Sequence, residues 1–109
     1  MSPIPESLSY PLIQNAAAPV DPATLDLTSD VVDLSLYNNL SVQVISSDIG
    51  AGDSLQMEQS INGVTWIDLG IPLVAAGVTE FSGIRTNFAR GHLLLDTSID
   101  TSVFICAKP

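Results

Sequence analysis

The sequence is poor in the side chains that most enzymes and metal sites require. It contains one cysteine, Cys106, and one histidine, His92, which leaves no intrachain disulfide and too few ligands for a zinc site within one chain. The lack of a disulfide suits a protein that folds in a reducing cytosol. Cys106 lies in an apolar stretch with no base or cation close in sequence, which favours a small buried side chain over a reactive thiol.

Basic residues are also scarce. The chain has 3 lysines and arginines against 12 aspartates and glutamates, which gives a net charge of −9. Such a surface repels phosphate backbones and anionic lipids, so we expect neither nucleic acid nor membrane as a partner. No apolar run reaches the length of a transmembrane helix, and residues 1–6 lack the basic and apolar regions of a secretory signal.

The chain has few charges of either sign for its hydrophobic content. Charged residues make up 14% of it, below the usual quarter or so, whereas hydrophobic residues make up 46%. A small domain has much surface to cover with so few charges. We expect Ser, Thr, Asn and Gln to cover part of that surface and other chains to bury the rest. This balance indicates an oligomer or a lattice.

Residues 1–23 differ from the rest of the chain because they are rich in proline and alanine. Prolines disfavour helices and central strands, so we predict an extended N-terminal arm. The alternative is a disordered tail, but Tyr10, Leu12 and Ile13 form an apolar cluster that a purely solvated tail rarely carries. We therefore predict that these three residues dock on a neighbouring subunit.

From about residue 24, apolar and polar residues alternate. Leu40, Val42 and Val44 alternate with Ser41 and Gln43, which is the pattern of a half-buried antiparallel strand. The helical spacing of three and four is not sustained anywhere in this part of the chain. About eight such strands, separated by turn residues, predict a single all-β domain over residues 24–109. The expected fold is an antiparallel β-sandwich or a jelly roll.

Two local patterns refine this prediction. Asn62-Gly63 predicts a type I′ hairpin turn between strands at residues 55–60 and 64–69. The last strand, residues 102–107, carries bulky residues on both faces. That pattern is typical of a strand covered on both sides, either in the middle of a sheet or at an interface.

Groups suited to catalysis or metal binding are few. His92 would need Asp96 or Asp100 to orient it as a general base, but Asp96 would lie about 13 Å away along the strand, and no serine lies in a nucleophile-elbow motif. The loop Asp48–Asp53 offers carboxylates to calcium, although a solvated hairpin loop is the simpler interpretation. We predict no catalytic, cofactor-binding or metal-binding residues and no enzyme activity.

Three residues are further candidates for binding. Arg85 and Arg90 lie close in sequence, so they form either a positive patch that meets an acidic neighbouring subunit or salt bridges within the chain. Trp66 is either a core residue or an exposed platform on which a sugar can stack.

The segment Leu40–Val44 followed by Leu55–Leu69 resembles a pattern found in small bacteriophage virion proteins. There, a strand ends in a serine and a short Asn-Gly or Asp-Gly turn, and the next strand carries a tryptophan three residues after the glycine. In this sequence those positions are Ser60, Asn62-Gly63 and Trp66. The same pattern occurs in unrelated β-domains, including carbohydrate-binding ones.

This resemblance implies a capsid-decoration, cement or minor capsid protein with a β-sandwich fold. Such a protein binds capsid subunits and its own copies on a lattice, often as a homotrimer, and is located in the virion after synthesis in the host cytoplasm. The alternative is a carbohydrate- or receptor-binding β-sandwich module of a tail or fibre, which requires an exposed Trp66 in a shallow groove. A hydrolase centred on His92 is the third hypothesis.

Overall fold

The structure, a computed structural model, describes residues 8–17, 24–46, 49–50, 52–96 and 100–109. Within these ranges the chain forms nine β-strands and no helix. The strands are β1 Leu8–Ala16, β2 Leu25–Thr28, β3 Val32–Asp33, β4 Asn39–Ser46, β5 Ser54–Ser60, β6 Ile67–Asp68, β7 Gly77–Phe81, β8 Phe88–Leu95 and β9 Thr101–Lys108.

The strands form two antiparallel sheets with the connectivity of a jelly roll. Sheet A has the order β1-β9-β4-β7, and sheet B has the order β2-β8-β5-β6. Strand β3 also pairs with β8, just beyond β2, so β2 and β3 act as one interrupted strand. The chain is therefore a long hairpin in which β1 pairs with β9, β2/β3 with β8, β4 with β7 and β5 with β6. Rolled into two sheets, such a hairpin is a jelly roll.

The core lies between the sheets and consists of the inward residues of each alternating strand. In β9, Thr101, Val103, Ile105 and Ala107 are buried, while the residues between them are partly exposed. Strand β8 shows the same alternation. Each fully buried leucine or valine contributes about 1.5–3 kcal/mol to stability. The predicted all-β antiparallel sandwich is confirmed.

The structure includes part of the predicted arm in the sandwich. Strand β1 is an edge strand of sheet A and pairs with β9. An edge strand tolerates Pro11, because one side of it needs no ladder hydrogen bonds. The domain boundary predicted at residue 24 is therefore corrected for residues 8–16. Residues 1–7 and 18–23 of the predicted arm lie outside the described residues.

The predicted hairpin turn is wrong in its type. A type I′ turn requires a positive φ at both central residues. Gly63 has a φ of 75°, but among the described non-glycine residues a positive φ occurs at Asn15 and not at Asn62. Residues 61–66 instead form a longer loop, and the strand predicted at residues 64–69 is reduced to β6.

Candidate functional site

The outer side of sheet A forms one continuous surface across four strands. Residues paired between neighbouring antiparallel strands point to the same side of a sheet, so the strand register shows which side chains share this surface. We call this surface the outer face of sheet A. Its residues are Ser9, Pro11, Ser41, Gln43, Ile45, Val78, Glu80, Ser102, Phe104 and Cys106.

The middle of this face carries no charge, and apolar side chains occupy it on three of the four strands. Phe104 on β9 lies in one row with Pro11 on β1, Gln43 on β4 and Val78 on β7. Val78 is 65% exposed. A shallow groove of about 510 Å³ runs over this row. An uncharged row with three apolar side chains in the middle of a sheet face is typical of a surface that another molecule covers.

Charge on this face is confined to its rim. Glu80 lies on the edge strand β7, in the row of Cys106 and Ser41. It is the one carboxylate among the ten residues of the face. Lys108 continues the outward side of β9 beyond Cys106, so a cation lies at the same end. On a chain with a net charge of −9, this face is unusually free of acidic groups.

The outer side of sheet B is charged, and several of its charges are paired. Arg90 donates through Nε to Glu58 Oε1 at 2.7 Å. His92 Nε2 contacts Asp26 Oδ1, and Asp68 lies opposite Glu58 on β6. A sheet face with these groups is well solvated. The two outer faces of the sandwich therefore differ in chemistry, and the face of sheet A is the candidate binding surface.

Arg90 holds Trp66 against the sandwich. Its guanidinium carbon lies 4.2 Å from the centroid of the Trp66 ring, which is a cation–π contact. Of the two alternatives for Arg90, the structure shows the salt bridge within the chain, and its use in an interface stays a prediction. Trp66 is partly exposed. Because Arg90 covers one face of the ring, a sugar could stack only on the other.

The loop that carries Trp66 is shaped by the side chain of Asn62. Its Oδ1 accepts hydrogen bonds from the backbone N–H groups of Val64 and Thr65, both at 2.9 Å. An asparagine that binds the backbone beyond it in this way forms a turn of its own. This turn replaces the predicted hairpin turn.

Arg85 is exposed in the loop between β7 and β8. It borders a pocket of about 450 Å³ together with Tyr37, Asn38, Thr86 and Asn87, at one end of the sandwich. No carboxylate in the described part of the chain forms an ion pair with Arg85. Its use in an interface stays a prediction.

The three residues predicted to dock on a neighbour pack in or against the core of their own chain. Ile13 is 5% exposed, and Tyr10 and Leu12 are partly buried against the core. Burial raises the pKa of the Tyr10 phenol, and the negative charge of Asp30 raises it further. The docking prediction is corrected for Ile13, which has almost no surface to offer, while Tyr10 and Leu12 offer only part of theirs.

Asp53 closes the loop that precedes β5. It is 1% exposed, and its carboxylate accepts hydrogen bonds from the backbone N–H of Gly50 at 2.8 Å and of Asp96 at 2.7 Å. These bonds join the start of β5 to the end of β8. Asp48, the other carboxylate of the calcium alternative, lies outside the described residues. Among those described, no three metal-ligating side chains are grouped together.

His92 contacts Asp26 rather than Asp96 or Asp100. The pairing of β2 with β8 places Asp26 beside it. An imidazole–carboxylate pair can hold a proton, but acyl transfer also requires a nucleophile beside the imidazole. No hydroxyl is hydrogen-bonded to His92 in the ranges that the structure covers. Sequence reasoning missed Asp26 because residue spacing does not show which strands pair.

A second apolar region adjoins the outer face of sheet A. Among the described residues, nine large hydrophobic side chains are exposed, and six of them lie between residues 61 and 78; we call this stretch the apolar segment. It contains the loop after β5, strand β6 and the connection to β7. The six residues are Ile61, Val64, Ile67, Ile71, Val74 and Val78.

These features define a jelly-roll β-sandwich with one charged outer face and one outer face that carries a single carboxylate. No family model and no curated protein matches the sequence. The solved structure of the SPBc2 prophage-derived protein YomS matches with a TM-score of 0.74 and 11% sequence identity, over 100% of this chain and 98% of that chain. The two chains therefore share a fold.

Two other solved structures match less well. The Yersinia pseudotuberculosis-derived mitogen gives a TM-score of 0.46 at 12% identity, over 95% of this chain and 85% of that chain. PirA gives a TM-score of 0.45 at 5% identity, over 99% of this chain and 97% of that chain. In the described part of the chain, no helix is long and apolar enough to cross a membrane.

Proposed function

We propose that the chain is a structural protein of a bacteriophage particle, of the capsid-decoration or minor-capsid kind, which binds neighbouring subunits and catalyses no reaction. The observation that carries this proposal is the outer face of sheet A, which carries one carboxylate and an apolar groove on a chain whose net charge is −9. A sheet face with few charges and exposed apolar side chains favours a binding site for another protein over a solvated face.

The placement of the apolar segment supports the same function. It runs along the β6 and β7 side of the sandwich and meets the outer face of sheet A at Val78. A protein that bridges subunits in a lattice needs more than one contact surface. The outer face and the apolar segment give this chain two adjoining surfaces for that role.

The fold likeness supports a phage origin. YomS is described as prophage-derived, and its chain and this one share the jelly-roll sandwich over nearly their whole lengths. Strand β1 belongs to sheet A, so residues 8–16 would contribute to binding through Ser9 and Pro11 on the outer face rather than as a free arm.

Analysis of purified particles tests this proposal. Particles of the phage or prophage that encodes the chain are isolated on a density gradient, and their proteins are quantified by mass spectrometry. We expect the chain at a fixed ratio to the major capsid protein. Absence of the chain from intact particles would contradict the proposal.

A matched pair of substitutions sharpens the test. Ile71 is 80% exposed in the apolar segment, so Ile71→Glu adds a charge without disturbing the core. Thr28→Glu adds the same charge at an exposed position of sheet B. We expect Ile71→Glu to lower incorporation into particles and Thr28→Glu to leave it unchanged.

A further inference from the structure

We infer that the outer face of sheet A binds the same face of a second copy of this chain, so that the two sandwiches stack back to back around a two-fold axis. This inference rests on the proposed function, since it names the partner for one of the surfaces used there. It concerns the isolated protein and needs no other component of the particle.

The size of the face is sufficient for such a pair. Sheet A has four strands, and its central strands β4 and β9 each have 8 residues. With strands about 4.8 Å apart and about 3.3 Å per residue, the face covers roughly 500 Å². Two stacked faces would bury roughly 1,000 Å² in all, which is about the lower limit for a specific interface.

The charge pattern favours a second copy over a different partner. Two molecules that each carry a net charge of −9 repel each other, so they can meet only where acidic groups are few. The outer face of sheet A has Glu80 as its one carboxylate, whereas the outer side of sheet B carries Asp26, Glu58 and Asp68 beside Arg90 and His92. A strongly basic partner would instead favour an acidic face.

A two-fold axis parallel to the strands brings opposite charges together. It places β9 over β4 of the second copy and β1 over β7 of the second copy, because the strand order β1-β9-β4-β7 is reversed by the rotation. Glu80 then lies opposite Ser9 of the second copy, one strand and one row away from Lys108 of that copy. Each pair of faces would contain two such contacts.

The same axis brings the central rows of the two copies together. Pro11 and Val78 occupy the two ends of the central row, so each would face the other across the interface. Phe104 would lie over Gln43 of the second copy in the same row. Stacked sheets lie about 10 Å apart, which these side chains can fill. An isologous contact of this kind closes at two copies and does not produce the trimer expected from the resemblance.

The mass of the full chain in solution, measured by sedimentation equilibrium over a range of concentrations, tests this inference. We expect a monomer–dimer equilibrium. Val78→Glu and Val64→Glu form a matched pair, because both valines are largely exposed, at 65% and 80%, and both substitutions add one negative charge. Val78→Glu should weaken the dimer about tenfold or more, and Val64→Glu should leave it unchanged.

A charge exchange tests the proposed axis. Glu80→Lys should weaken the dimer, because the new positive charge lies near Lys108 of the second copy. The double variant Glu80→Lys/Lys108→Glu should restore the dimer, because opposite charges again lie close together. A wild-type monomer at all concentrations, a trimer, or equal weakening by Val78→Glu and Val64→Glu would overturn the inference. A monomer in solution that is still incorporated into particles would overturn the pairing and leave the proposed function standing. A dimer that is absent from particles would overturn the proposed function and leave the pairing standing.

Discussion

Arg90 lies between Trp66 and Glu58, with its guanidinium carbon 4.2 Å from the centroid of the Trp66 ring and its Nε 2.7 Å from Glu58 Oε1. The Arg90 side chain of β8 thus contacts both strand β5 and the loop between β5 and β6. The arrangement fixes the β5–β6 loop to sheet B and gives the single tryptophan a structural role.

Replacement of Arg90 tests this role. Arg90→Met should lower the free energy of unfolding by about 1–2 kcal/mol, because it removes a cation–π contact and a charged hydrogen bond that are partly screened by solvent. Urea denaturation followed by circular dichroism measures the loss. Arg85→Met is the control, since Arg85 is exposed, and it should change stability by less than about 0.5 kcal/mol. Equal losses for the two variants would refute the assignment.

Asp53 provides a second test of how the sandwich is joined. Asp53→Ala leaves the backbone N–H groups of Gly50 and Asp96 without their carboxylate partner, and we expect a loss of about 2–4 kcal/mol in unfolding free energy. Asp53→Asn keeps one oxygen acceptor and should lose less. Thermal unfolding of the two variants gives the comparison, and a smaller loss for alanine than for asparagine would contradict this account.

Gly91 lies where β8 approaches the core side chains. A Cβ at this position would come within 3.1 Å of Leu55 Cδ1 and 3.5 Å of the Met57 sulfur. Gly91→Ala should therefore cost about 1–3 kcal/mol through overpacking. Leu55→Val removes the nearest atom, so the two substitutions together should cost less than the sum of their separate effects in denaturation experiments. Simple additivity would count against the close contact.

The Tyr10 phenol should make stability fall at high pH. Burial, and then the charge of Asp30, raise its pKa in the folded chain above the usual 10.0. The unfolded chain therefore loses this proton first, so the stabilisation is present below about pH 10 and is lost as the pH rises through the folded-state pKa. Urea denaturation across this range should show a steeper decline for the wild type than for Tyr10→Phe. Identical pH dependence in the two proteins would contradict the burial of the phenol.

The sequence predicts the sandwich because its inward and outward positions differ in polarity. Leu40, Val42 and Val44 are buried in β4, as their alternation with polar residues predicts. Strand β1 was not predicted, because Pro11 argues against a strand unless its edge position is known. The local pattern of polarity predicts which residues are buried. It does not predict which strands lie at the edge of a sheet.

The candidate site was harder to predict from the sequence than the fold. The bulky outward residues of β9, Phe104 and Cys106, predict a strand covered on both sides. The structure places β9 in the middle of sheet A and leaves these residues on the outer face. The rest of that face, including Val78, is assembled by pairing between strands distant in sequence. The contact between Asp26 and His92 has the same origin, so neither could be derived from residue spacing.

The reactivity of Cys106 tests the burial of this face most directly. It is the one thiol of the chain, is partly exposed, and lies on the outer face of sheet A between Ser9 and Ser41. If the face pairs with a second copy, the rate of maleimide labelling should fall as wild-type concentration rises, and Val78→Glu should restore fast labelling at the same concentration. A wild-type labelling rate that does not change with concentration, while the protein remains folded, would contradict the account.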